Sequence, residues 1–217
     1  MVDGQATHPS GPRVVLAPDT FRGSLTAARV CERLADGLTS ARADVRPVRC
    51  PIADGGEGTL DAALGAGFRR VPVRATGPLG RPVESAIAIR DGVAVAEMAD
   101  ACGLARIHGA RLNPLGASSR GAGDLIRAAL DRGCHKIVLA VGGSASTDGG
   151  AGMLQALGAA LLDADGIAVS PGGVGLTQLS RVDFSGLDRR LKQTKIVLAS
   201  DVDNPLLGPD GAAAVYA

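Results

Sequence analysis

The stretch Lys136–Gly158, KIVLAVGGSASTDGGAGMLQALG, decides how this chain is read. It opens as a run of strand formers, passes into glycine and hydroxyl residues around one aspartate, and resumes with the periodicity of an apolar helix. Gly142, Gly143, Ser144, Ala145, Ser146, Thr147, Asp148, Gly149 and Gly150 offer backbone N–H groups with little side chain in the way. Glycine lets a backbone approach a ligand closely and adopt positive φ. A helix placed after such a loop points its first amides and its positive dipole end back at it, which favours an anion. The hydroxyls of Ser144, Ser146 and Thr147 add donors, and a polyphosphate suits this set better than a neutral sugar does. The stretch is not a Walker loop (GxxxxGK[ST]), a dinucleotide fingerprint (GxGxxG) or a nucleophile elbow (GxSxG). The competing reading is a tight strand-to-helix turn that needs glycine for packing.

Working outward, strands and helices alternate along the chain. RVVLAP (13–18) reads as a buried parallel strand. Ser24 or Thr26 can cap a helix in which Val30, Leu34 and Leu38 recur. VRPVRC (45–50) reads as a strand, GEGTLDAAL starts a helix, and RRVPVRA is extended. ESAIAIRDGVAVAEM has the pattern of a hairpin turning at Asp91-Gly92. GDLIRAALDRG is a helix stopped by Gly133. The apolar run Ala151–Leu162 reads as one helix, and KIVLAS (195–200) as a strand nearly repeating the earlier one. The fold class expected is α/β, two lobes with mainly parallel sheets of the Rossmann or flavodoxin-like kind and an added antiparallel hairpin. Residues 1–12 are expected to be a disordered leader, 13–76 the first part of one lobe, and 77–217 a second lobe carrying the glycine loop. ATGPLGRPV (75–83) is the most turn-rich candidate for the passage between lobes.

Four strand ends are followed by loops bearing acids: Asp19; Asp54 with Glu57; Asp148; and Asp201 with Asp203. Parallel sheets gather such loops at the carboxyl ends of their strands, where crevices form, so these carboxylates are expected to converge. Each alone also reads as a turn or cap residue. The same holds for Ser118 and Ser119 before a helix, and for Asn113 and Asn204 in turns.

Bulk composition narrows the function classes. A net charge of +1 points to neither nucleic acid nor an anionic membrane as partner. No apolar run reaches the roughly 18 residues of a membrane span. The four cysteines, Cys31, Cys50, Cys102 and Cys134, form no CxxC pair, so buried free thiols in a reducing cytoplasm are expected in place of disulfides or a zinc site. Aromatic residues make up only 2% of the chain, so the core must be built from Ala, Val, Leu and Ile.

The segments APDTFRGSLTA, PIADGGEGT, TGPLGRPV, EMADACGL, GAGDLIRAALDRG, GGSASTDGGAGMLQALG, SPGG, DFSGLD and SDVDNPLLGPDGA resemble, in order, the bacterial type 1 glycerate kinase family. The resemblance covers nearly everything from Arg13 to Ala217. It implies a cytoplasmic enzyme of two α/β lobes that phosphorylates D-glycerate with ATP and Mg²⁺, giving 2-phosphoglycerate and ADP. On that footing the loop Ser144–Gly150, with Gly142 and Gly143, is expected to hold phosphates. Asp19, Arg22 and Ser24 are assigned to the substrate, Asp54 and Asp201 to base or metal partner, and Asp148 and Asp203 to the metal.

The chain departs from the family pattern at Arg22, where lysine is usual, and at Arg120, where an aromatic is frequent. Family members also run well past the point where this chain ends. The first lobe is therefore expected to need residues beyond Ala217, and the surface so exposed to promote self-association. The alternative is a non-catalytic remnant that keeps a ligand-binding lobe.

Overall fold

A computed structural model describes residues 11–21, 24–107, 112–200 and 202–216. Most of the expected leader, residues 1–10, lies outside them, as do Arg22 and Asp201. The chain forms two compact units that divide between Ala53 and Asp54.

The first unit contains a βαβ element. Strand β1 (Arg13–Leu16) leads through helix α1 (Ala27–Ala41) to β2 (Arg46–Arg49), which pairs parallel with β1. Thr26 is the cap of α1, its side chain accepting from the Arg29 amide at 3.3 Å. Ala27, Val30, Cys31 and Ala35 form the buried stripe, of which Cys31 and Ala35 pack with Leu16. Leu34, expected on that stripe, falls on its flank and is exposed.

The second unit begins with α2 (Thr59–Gly65) and is built on a five-stranded sheet in the order β3-β4-β5-β6-β9. Strands β3 (Arg69–Thr76), β4 (Pro82–Arg90) and β5 (Val93–Glu97) pair antiparallel with one another in that order. Beyond β5, β6 (Lys136–Ala140) and β9 (Lys195–Ala199) continue the sheet in parallel. The two KIVLA segments lie side by side in perfect register, Lys136 opposite Lys195 through Ala140 opposite Ala199. The expected α/β architecture, parallel strands with an antiparallel hairpin added, is thus what forms.

The two faces of the sheet are covered differently. Helix α4 (Arg120–Asp131) packs Leu125, Ile126, Ala129 and Leu130 against Val71, Val73, Ile87, Ile137 and Leu139. Each fully buried aliphatic side chain there stabilises the fold by about 2 kcal/mol. The opposite face packs Ala86, Ala88 and Val95 against Leu60 of α2. The short helix α3 (Met98–Cys102) follows β5, and α6 (Ala212–Tyr216) closes the described chain.

Three sequence expectations change. The Ala151–Leu162 run is not one helix: α5 covers Ala151–Ala156, and Ala160–Leu162 is strand β7, paired with β8 (Arg181–Asp183). Gly158 separates them at φ 104°, where a Cβ would stand 2.2 Å from the Gly186 carbonyl oxygen. The ATGPLGRPV stretch is not a passage between lobes but the β3–β4 turn, closed by the Gly77 amide on the Arg81 carbonyl at 2.7 Å. The compact units accordingly divide at 53/54 and not at 76/77, because β3 pairs along its whole length with β4. Of the cysteines, all free, Cys31, Cys102 and Cys134 are buried as expected but Cys50 is exposed.

Candidate functional site

The carboxyl ends of β5, β6 and β9 lie side by side, so the loops leaving them meet at one edge of the sheet. The loop Asp54–Gly58 comes to the same edge. The Gly142 amide donates to the Gly55 carbonyl at 3.0 Å, and the Val141 amide to the Ala199 carbonyl at 3.2 Å. A Cβ on Gly142 would stand 2.6 Å from the Gly56 Cα, so the two glycine-bearing loops touch backbone to backbone. The segment after α3 joins them: the Leu104 amide donates to the Gly143 carbonyl at 2.9 Å, forming an isolated bridge between Gly103 and Ser144.

This packing determines which loop amides remain available. Those of Gly142, Ala145 and Ser146 are used internally, by the Gly55 and Cys102 carbonyls and the Ser144 hydroxyl. Those of Gly143, Ser144, Thr147, Asp148 and Gly149 make no hydrogen bond to any described residue. The main-chain donors expected for an anion are therefore present, but in the body of the loop and not at the helix start. The amides of Gly150 and Gly152 donate to the Asp148 carboxylate, each at 3.1 Å, and that of Ala151 to its carbonyl at 2.9 Å. The Met153 amide donates to Ser119 Oγ at 3.0 Å.

Asp148, expected to hold the metal, has its carboxylate turned to the first amides of α5. It is 1% exposed, and its Oδ2 also accepts from the Ser119 amide at 2.8 Å and the Ser119 hydroxyl at 3.0 Å. Both oxygens are directed into protein donors that lock the starts of α4 and α5 together. The helices approach closely enough for this because Gly123 and Gly152 face the contact. A Cβ on Gly123 would stand 2.5 Å from the Met153 carbonyl, and one on Gly152 2.1 Å from Ser118 Oγ. The serines before α4 are accordingly buried scaffold.

The remaining acids divide by exposure. Asp54 and Glu57 are exposed on the loop that touches Gly142 and Gly143; Asp54 Oδ1 accepts from the Gly56 amide at 3.1 Å. Glu57 Oε1 lies 3.7 Å from the point where a Cβ on Gly143 would sit. Asp203 is exposed in the segment after β9. In the first unit, Asp19 Oδ1 accepts from the Thr20 amide at 2.6 Å and the Ser24 hydroxyl donates to the Phe21 carbonyl at 3.0 Å. Asn113 closes a turn, its Oδ1 accepting from the Gly116 amide at 2.9 Å. Among the described residues no three His, Cys, Asp or Glu side chains cluster as a ready metal cage. Mg²⁺ asks for less: one or two carboxylates besides phosphate and water suffice, which exposed Asp54, Glu57 and Asp203 satisfy in kind.

One residue at this edge escaped the sequence reading. Glu97 ends β5, is 6% exposed, and its Oε2 accepts from the Leu60 amide in the first turn of α2 at 2.9 Å. Burial pushes its carboxyl above the usual range, and the neighbouring charges of Asp100 and Asp61 add to this against the backbone donors of Leu60 and Gly58. Its signal was an acid closing the otherwise apolar strand VAVAE, where a buried partner had to be waiting.

A strand, a glycine loop and a helix at the carboxyl edge of the parallel half of the sheet, with main-chain donors in that loop unpaired among the described residues, define the class as an α/β protein with the crevice geometry typical of open α/β sheets. The chain belongs to the glycerate kinase family, which matches residues 14–217. It is 46% identical over 207 residues to a glycerate kinase of Bacillus subtilis (strain 168), covering 94% of this chain and 54% of that one. It is 44% identical over 208 residues to a glycerate 2-kinase of Escherichia coli (strain K12), with the same coverage. A crystal structure described as glycerate kinase 2 from Salmonella typhimurium LT2 superposes with TM-score 0.82 at 44% identity, covering 95% of this chain and 57% of that one. The chain spans about half the length of the curated relatives it matches. No helix among its described residues is long and apolar enough to cross a membrane.

Proposed function

We propose that this chain serves the transfer of the γ-phosphoryl group of ATP to a hydroxyl of D-glycerate, giving 2-phosphoglycerate and ADP in the cytoplasm. The observation that carries the reading is the set of five amides unpartnered among the described residues, Gly143, Ser144, Thr147, Asp148 and Gly149, at the edge where the loop after β6 and the end of β9 meet the Asp54–Gly58 loop. Phosphoryl transfer demands mainly positioning and charge neutralisation, which fixed main-chain donors provide without reorganising. The hydroxyls of Ser144 and Ser146 stand within the same loop.

Mg²⁺, when bound with the nucleotide, neutralises phosphate charge. Asp203, Asp54 and Glu57 are the carboxylates that would hold it, and Asp148 is withdrawn from that role because both its oxygens are engaged. Asp54 and Asp201 are the candidates to accept the proton of the attacking hydroxyl. The carboxylate of D-glycerate is assigned to Arg22, whose planar fork matches it bidentately, with Asp19 and Ser24 as its neighbours.

The test combines ATP binding with ATP consumption in the presence of D-glycerate. Thr147→Pro deletes one loop amide, whereas Thr147→Ala deletes the side chain and keeps the amide. The expected outcome is a tenfold or greater loss of ATP affinity in the proline variant only, in proteins with matching thermal melts. Equal affinity in both variants overturns the assignment. Binding that responds as expected but yields no product with D-glycerate supports the ligand-binding remnant instead.

A further inference from the structure

Away from the glycine loop, the second unit has a depression of about 260 Å³ between β3, the β3–β4 turn and the start of α4. Arg74, Arg120 and Arg127 line it, with Thr76 and Asp124. No residue of the 142–150 or 54–58 loops belongs to it.

The charges in this depression do not cancel. Asp124 is 6% exposed and fully engaged: Oδ2 accepts from the Thr76 amide at 2.9 Å and the Thr76 hydroxyl at 2.7 Å, and Oδ1 from Arg127 at 2.9 Å. Arg127 is thereby neutralised and further fixed on the Ala156 carbonyl at 3.1 Å. Arg74 and Arg120 have no ion pair or side-chain hydrogen bond among the described residues. Glu84 stands opposite Arg74 in the β3–β4 register but makes no ion pair with it. Arg81, exposed in the adjoining turn, adds another cation to this side.

We propose that Arg74 and Arg120 form a second anion site, which takes a compact oxyanion of two negative charges, a phosphate or the phosphoryl group of a small metabolite. Two guanidinium forks offer paired N–H donors matched to phosphoryl oxygens. The Thr76–Asp124–Arg127 network fixes β3 against α4 beneath them and contributes no net charge. The depression is smaller than the roughly 300–1,000 Å³ of pockets for drug-sized ligands, which restricts the occupant to a group of few atoms.

The test titrates the isotope-labelled chain with inorganic phosphate, and separately with glycerol phosphate, following backbone amide shifts at low salt. The expected result is saturable shifts at Thr76, Gly80 and Gly121, weakened at least tenfold in the Arg74→Ser/Arg120→Ser variant. Both arginines are exposed, and an unchanged melting temperature verifies the fold of that variant. Thr147→Pro is expected to leave these shifts intact, so the site stands or falls independently of the loop. Tighter binding of glycerol phosphate than of inorganic phosphate marks a metabolite as occupant, and equal binding marks free phosphate. Absence of shifts in this region, or shifts unaltered by the double variant, overturns the proposal.

Discussion

Asp148 shows what a single carboxylate does when protein donors surround it. It accepts from Ser119, Gly150 and Gly152 in a site closed to water, so removing it leaves three main-chain donors and a hydroxyl unpaired. Asp148→Ala is expected to destabilise the second unit by about 3 kcal/mol, from a cost of about 1–3 kcal/mol per unsatisfied buried group and partial relaxation. Chemical denaturation measures this; unchanged stability with lost activity would return Asp148 to a direct role in the chemistry. Glu97 gives the opposite sign. Because burial raises its folded pKa above the unfolded value, its contribution to stability is complete below the unfolded pKa and is lost as pH rises through the folded one. Glu97→Gln keeps an acceptor for the Leu60 amide and cannot ionise. Its melting temperature is therefore expected to exceed that of the parent at pH 7, with the difference vanishing towards pH 4. The thiols divide in the same way: burial pushes Cys102 up to about 12, while Cys50 is exposed. Alkylation at pH 8 is expected to label Cys50 promptly and Cys102 only on unfolding.

Among the elements, the strand–loop–helix unit at Lys136–Gly158 was legible as β6 and the start of α5, because a run of β-formers and a glycine punctuation are local signals. The end of α5 was not, since an apolar run does not distinguish helix from strand; pairing with β8 made Ala160–Leu162 a strand. Pro72 within β3 and Pro47 within β2 are tolerated because both strands lie at sheet edges. The loop's glycines serve two ends that substitution can separate. At Gly142 the constraint is space, and Gly142→Ala drives a Cβ to 2.6 Å from the Gly56 Cα. That variant is expected to lose about 1–3 kcal/mol and to pull the two loops apart, with ATP affinity falling alongside. At Gly149 nothing lies within 4 Å of an added Cβ and only its φ of 57° is strained. Gly149→Ala is expected to cost about 1 kcal/mol and to retain most affinity. Paired binding and denaturation curves distinguish the two.

Over the whole molecule, β9 is an edge strand carrying Leu198 at 65% and Ile196 at 40% exposure, beside a fully buried β6 partner at Leu139. An apolar strand edge of this kind templates pairing with another chain. Concentration-dependent self-association is expected in sedimentation, and Leu198→Lys is expected to shift the population towards monomer. An unshifted monomer at all concentrations would show that this edge is silent.

Fold class, the alternation of elements, the hairpin at Asp91-Gly92 and membership of the glycerate kinase family were all fixed by the chain's own order of residues, because periodicity, turn chemistry and long motifs are local in sequence. The fates of Asp148 and Glu97, the division at Ala53, and the selection of five loop amides from nine residues depended on tertiary contact. Whether a carboxylate meets solvent or three buried N–H groups is set by residues tens of positions away, and only the folded chain brings those together.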